Sequence, residues 1–146
     1  MMMRRTLSAM LTAAVVTLMG PLPASAQTAS EMNANLDGLF GSHESYQKFF
    51  DALKKAIAAD DKAAVAAMVD YPFQARIGGK AVKIRDAAHF VSDYDKIITA
   101  KVKQAVAQQT YAGLFANWQG VSIGDGEIWF SGVGKDNKVK ITAIND

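Results

Sequence analysis

Two glycine-bearing turns constrain this chain more than any other feature. Gly78-Gly79 and Asp125-Gly126 each lie at the centre of a run of alternating apolar residues, and short loops that accept positive φ close β-hairpins. Counting outward from the first turn pairs Ala75 with Val82 and Phe73 with Ile84 on one face, with Gln74 opposite Lys83 on the other. Counting from the second pairs Ile123 with Ile128 and Val121 with Phe130 on an apolar face, with Ser122 opposite Trp129 on the reverse. A slip of one residue would exchange the faces, so the pattern sets the register. The tail after Gly113 is expected to be a meander with strands near Leu114 to Ile123, Glu127 to Gly132 and Lys138 to Ile144.

Helical spacing occupies the rest. Tyr46, Phe49, Phe50, Leu53 and Ile57 recur at i, i+3, i+4, i+7 and i+11 behind Ser42, a candidate N-cap. Asp60-Asp61 begins a shorter helix with Val65, Met68 and Val69 inside, stopped by Pro72. Both carboxylates suit a helix N-terminus, which explains them without acid–base chemistry or a metal. Asp86 caps a third helix that reads through Phe90, Tyr94 and Ile97 to Ile98, with His89, Asp93 and Lys96 on its solvated side. A fourth covers about Thr99 to Gly113 through Val102, Ala105, Val106 and Tyr111. Residues 27–41 read as a polar, partly ordered leader in which Leu36, Leu39 and Phe40 can dock. The class is therefore α+β: N-terminal helices packed on a curved antiparallel sheet, in one domain over residues 42–146.

The first 26 residues have a separate logic. Arg4-Arg5, the apolar run Leu7 to Met19 and Ala24-Ser25-Ala26 form a secretory signal, with cleavage expected after Ala26. The run is too short to span a bilayer, which needs about 20 residues. Removing the two arginines leaves 14 basic residues against 14 acidic ones, so the whole-chain charge of +2 gives no reason to expect nucleic acid or membrane as partner. With no Cys the exported domain relies on core packing, and the bacterial periplasm is the expected location.

Motifs for chemistry fail on context. Gly120-Val121-Ser122-Ile123-Gly124 matches G-x-S-x-G, yet a nucleophile elbow needs a strand–turn–helix and a later His, whereas a hairpin follows and both His43 and His89 precede it. Gly132-Val133-Gly134 leads into a strand, so it sets no pyrophosphate on a helix N-terminus. Two separated His and no Cys argue against a transition metal, and no cofactor is expected. Arg76, Lys80, Lys83 and Arg85 cluster on the first hairpin, where edge protection accounts for them.

The informative stretch is the reverse face of the second hairpin. Trp118, Gly120, Ser122, Gly124, Glu127, Trp129 and Ser131 place small residues between two indoles, with one carboxylate near the turn. Small residues admit a close approach and indoles supply flat apolar walls with a donor. Trp118, Ser122, Glu127 and Trp129 are thus the candidate ligand residues, with Tyr94 facing them from the third helix; helix packing on this face is the structural alternative.

Two helices, a hairpin, more helix and a meander resemble the cone-shaped α+β fold of the nuclear transport factor two-like superfamily, which includes SnoaL-like proteins. Asp70-Tyr71-Pro72-Phe73, Asn117-Trp118-Gln119-Gly120 and Gly124-Asp125-Gly126-Glu127-Ile128-Trp129 also resemble a recurring family of small exported bacterial proteins. The first resemblance implies a bent sheet with an apolar pocket and a range from isomerases and dehydratases to non-enzymatic binders; the second implies no reaction. The expected function is a non-catalytic binding or interaction module for a small molecule or a periplasmic protein. The alternatives are a small enzyme for proton transfer, hydration or isomerisation using Glu or Asp with Tyr, and a homodimer through the open sheet face.

Overall fold

The computed structural model describes Gly20 and residues 27–146. The expected signal segment, residues 1–26, lies outside the described residues apart from Gly20. Three helices come first, α1 (Ala29–Phe40), α2 (Glu44–Ala58) and α3 (Lys62–Ala67). The hairpin β1 (Phe73–Ile77) and β2 (Lys80–Ile84) follows, then α4 (Ala87–Ser92), α5 (Tyr94–Ile97) and α6 (Ala100–Gln108). The chain ends in β3 (Phe115–Asn117), β4 (Gly120–Ile123), β5 (Ile128–Val133) and β6 (Lys138–Asn145).

Both hairpin registers are those read from the sequence, including Phe73 opposite Ile84 and Ser122 opposite Trp129. The strands form one sheet in the order β2-β1-β6-β5-β4-β3. It is mixed rather than wholly antiparallel, because β1 runs parallel to β6 with Ala75 beside Ile144 and Arg76 beside Asn145. That join links segments far apart in the chain, and no local pattern encodes it. A bulge between Trp129 and Phe130 shifts the β5–β6 register, which bends the strand pair.

One expected strand is two. Asn117-Trp118-Gln119-Gly120 turns the chain between β3 and β4, with Asn117 paired to Gly120 and the Asn117 Oδ1 accepting the Gln119 N–H at 2.9 Å. An asparagine side chain that bonds its own backbone two residues on favours a turn over a continuous ladder.

The leader is also corrected. Ala29–Phe40 is a helix with a capping box between Thr28 and Glu31, and Met32 and Leu36 are fully buried. Ser42 does not cap α2; His43 stands at the cap position, and its Nδ1 donates to Asp37 Oδ1 at 2.8 Å, tying α1 to α2. Asp61 caps α3 through the Ala64 N–H at 3.1 Å, whereas Asp60, at φ 49°, pairs with Lys103 at 2.8 Å. The third expected helix divides at Asp93 into α4 and α5, where Ser92-Asp93 compete with helical hydrogen bonding. The fourth ends at Gln108, and Tyr111 instead donates to Asn33 of α1 at 2.6 Å.

The helices cover one side of the sheet. Phe73, Ile84, Val121, Ile123, Ile128, Phe130, Ile141 and Ile144 fill that side, each at most 2 % exposed. Phe49 lies 5.1 Å from Phe130 between ring centroids, and the Tyr46 hydroxyl accepts the Gly132 N–H at 3.2 Å, so α2 is fixed on β5. Burying each such side chain is worth about 1.5–3 kcal/mol, which makes this layer the main stabilising element.

Candidate binding surface on the C-terminal hairpins

Register places Ser122 of β4 between Phe115 of β3 and Trp129 of β5, on the face turned away from the helices. The Phe115 and Trp129 rings meet edge to face, with centroids 6.2 Å apart and planes at 82°. Spanning β4, they close over Ser122, which is only 4 % exposed. Two aromatic neighbours, rather than a packed helix, bury this serine. Trp118 is not the second wall: it sits at the β3–β4 turn, 80 % exposed. Phe115 takes that place, and sequence reasoning missed it because a continuous strand hid the pairing of Phe115 with Ser122.

Glu127 is 8 % exposed and closes its own turn, its Oε2 accepting the Asp125 N–H at 2.6 Å. Its carboxylate occupies the space a Cβ at Gly124 would need, and Gly124 has φ +63°, so only glycine fits there. The Gly124 N–H donates to Gln109 Oε1 at 2.7 Å, while the Asn145 Nδ2–H donates to the Gly126 carbonyl at 2.8 Å. The end of α6 and the end of β6 thereby brace the loop from opposite sides.

Two open grooves meet at this loop. One, of about 470 Å³, is lined by Lys101, Gln104, Gln108, Gln109, Asp125 and Glu127. The other, of about 410 Å³, runs past Arg76, Lys101, Asp125, Glu127, Trp129 and Asn145. They share Lys101, Asp125 and Glu127, none of which is ion-paired among the described residues. Lys101 reads in the sequence as an ordinary helix-surface charge, and only the packing of α6 against the loop gives it this position.

Tyr94 lines neither groove. It is fully buried against Phe90, and the Lys62 and Lys103 ammonium groups lie 5.5 and 5.9 Å from its ring centroid. Its hydroxyl makes no hydrogen bond of good geometry, with the Asp60 carboxylate near it, and burial, followed by the charge and proximity of Asp60, pushes its pKa up to about 12. It stands in the core, not across from the second hairpin. Among the described residues no three His, Asp or Glu side chains group as metal ligands would, and no helix is long and apolar enough to cross a membrane. Comparison with protein-family models, curated proteins and solved structures gives no match.

Proposed function

We propose that the chain is exported to the periplasm and acts there as a non-catalytic binding module of the nuclear transport factor two-like cone type, using the C-terminal hairpins as its ligand surface. The observation that carries this reading is the convergence of two grooves on a loop braced from both sides, with Lys101, Asp125 and Glu127 in no ion pair among the described residues beside Trp129. A fixed loop costs little ordering entropy when a ligand arrives, and charges of both signs beside an indole suit a small polar–apolar molecule or a partner loop. The helices, the docked hairpin and the bulged meander support the cone assignment. A binding role fits better than catalysis because the carboxylates face open grooves, while the buried Tyr94 hydroxyl is sealed away from them.

Trp118→Phe leaves Trp129 as the only indole, since the sequence has two Trp. Titrating that variant with a panel of free amino acids and dipeptides should give a saturable change in Trp129 emission with at least one member. Lys101→Gln should weaken the response without moving the melting midpoint, whereas Glu127→Gln should weaken it and also lower the midpoint, because the carboxylate closes the loop through the Asp125 N–H. A panel with no saturable response rejects the groove as a site for such ligands, and turnover abolished by Glu127→Gln would replace binding with catalysis.

A further inference from the structure

The charged side chains at outward strand positions of the sheet are all cations. Arg76 of β1, Lys83 of β2, and Lys138 and Lys140 of β6 occupy them by register, and no carboxylate does. Edge protection explains Lys83, because β2 is an edge strand. It does not explain the others, since β1 and β6 are interior strands with neighbours on both sides. None of the four is ion-paired among the described residues, and the Lys140 ammonium donates to the Ala67 carbonyl at 2.8 Å, so Arg76, Lys83 and Lys138 are the cations that carry the inference. The acids Asp125, Glu127 and Asp146 stand at the loop end, where they line one groove with Arg76.

The same face carries exposed aromatic surface. Phe115 is 55 % exposed and Trp118, at its rim, 80 %. Ser131 of β5 and Thr142 of β6 lie between aromatics and cations, with Gln74 beside Lys83 and Asn117 on the β3 edge, neutral side chains that donate and accept hydrogen bonds. Six strands at about 4.8 Å spacing make the face about 24 Å wide, a span suited to an extended polymer rather than a metabolite.

We propose that this face binds an anionic polysaccharide whose sugars carry carboxylates, an inference that extends the hairpin surface above and rests on its reading as an exported binding module. Cations pair with the carboxylates, neutral side chains match the hydroxyls, and the aromatic pair packs against the apolar faces of sugar rings. Single-stranded nucleic acid also pairs with cations and stacks on exposed aromatic faces, so its binding is an outcome that the test separates from the polysaccharide.

The test uses the purified chain recovered after expression of the full sequence, with polygalacturonate as probe and dextran, polyglutamate, oligo-dT and phosphatidylglycerol vesicles as comparators. Polygalacturonate should bind most tightly and dextran least. Arg76→Gln with Lys83→Gln should lower the affinity about tenfold, the scale of one or two charged hydrogen bonds, and Phe115→Ala about fivefold. Lys55→Gln with Lys96→Gln, on exposed helix surfaces, should leave it unchanged. Equal binding of polyglutamate, tighter binding of oligo-dT or vesicles, or an equal loss in the helix control overturns the proposal. Absent polygalacturonate binding with the Trp129 response to small molecules intact sinks this inference alone; the reverse result sinks the groove alone.

Discussion

Phe115 and Trp129, on strands that are not neighbours, meet edge to face at 6.2 Å across β4 and shut Ser122 from water. Such a pair adds about 0.5–1.5 kcal/mol beyond its buried area. Phe115→Ala should therefore lower unfolding free energy by about 1 kcal/mol, a small loss because the ring is already half in solvent. In the Trp118→Phe background it should also move Trp129 emission to longer wavelength. Unchanged emission on removing Phe115 would mean that the two rings do not cover each other in solution.

The helix α1 belongs to the folded core. Met32 and Leu36 are fully buried, Asn33 receives the Tyr111 hydroxyl, and Asp37 receives His43. Leu36→Ala should cost about 2–4 kcal/mol in chemical denaturation, as for other buried leucines. Removing residues 1–26 should leave stability unchanged, whereas removing residues 27–41 should lower it sharply. A chain without residues 27–41 that melts at the same midpoint would return α1 to the status of a leader.

The contrast between α1 and the hairpins shows what was legible. Gly78-Gly79 and Asp125-Gly126 announce their pairings because a two-residue period beside a turn is local information, and every predicted pair is present. Residues 27–41 hid a helix because its buried side is only Met32 and Leu36, one turn apart in a polar segment. The Ser122–Trp129 pairing was readable, yet its covering partner Phe115 was not, since the Asn117–Gly120 turn was taken as strand. The parallel β1–β6 join, Tyr94's place in the core and Lys101's place at the groove arise from contacts between distant segments. No periodicity reports those.

Tyr94, fully buried, and Tyr71, half-buried, make opposite predictions. The Tyr71 hydroxyl donates to the Ala66 carbonyl at 2.7 Å, whereas the Tyr94 hydroxyl, near Asp60, makes no hydrogen bond of good geometry. An unpaired buried polar group costs about 1–3 kcal/mol, so Tyr94→Phe should stabilise the protein at pH 7, and Tyr71→Phe should destabilise it by about 1 kcal/mol. Both phenols are pushed up to about 12, Tyr71 by burial and then Asp86, Tyr94 by burial and then Asp60. A raised phenol pKa means that the folded state holds its proton more tightly. Its stabilising effect is complete below about pH 10 and is lost as pH rises toward about 12. Denaturation midpoints from pH 7 to 11.5 should fall less steeply in Tyr94→Phe. A destabilised Tyr94→Phe at neutral pH would show that the hydroxyl has a partner after all.

One glycine, Gly120, tests how closely β4 and β5 approach, and a second, Gly38 of α1, is its contrast. Gly120 has φ +142°, and a Cβ there would lie 2.7 Å from the Phe130 carbonyl oxygen, which is backbone and cannot swing aside. Gly120→Ala should cost at least about 2 kcal/mol, combining a conformation closed to alanine with that overlap. Gly38 lies inside α1 with nothing within 4 Å of an added Cβ. Gly38→Ala should stabilise by about 0.5–1 kcal/mol, because alanine loses less chain entropy in a helix interior. Urea denaturation of the two variants should move in opposite directions. A neutral Gly120→Ala would mean that the hairpin carrying Phe115 can shift relative to β5, and the closed lid over Ser122 would then have to be given up.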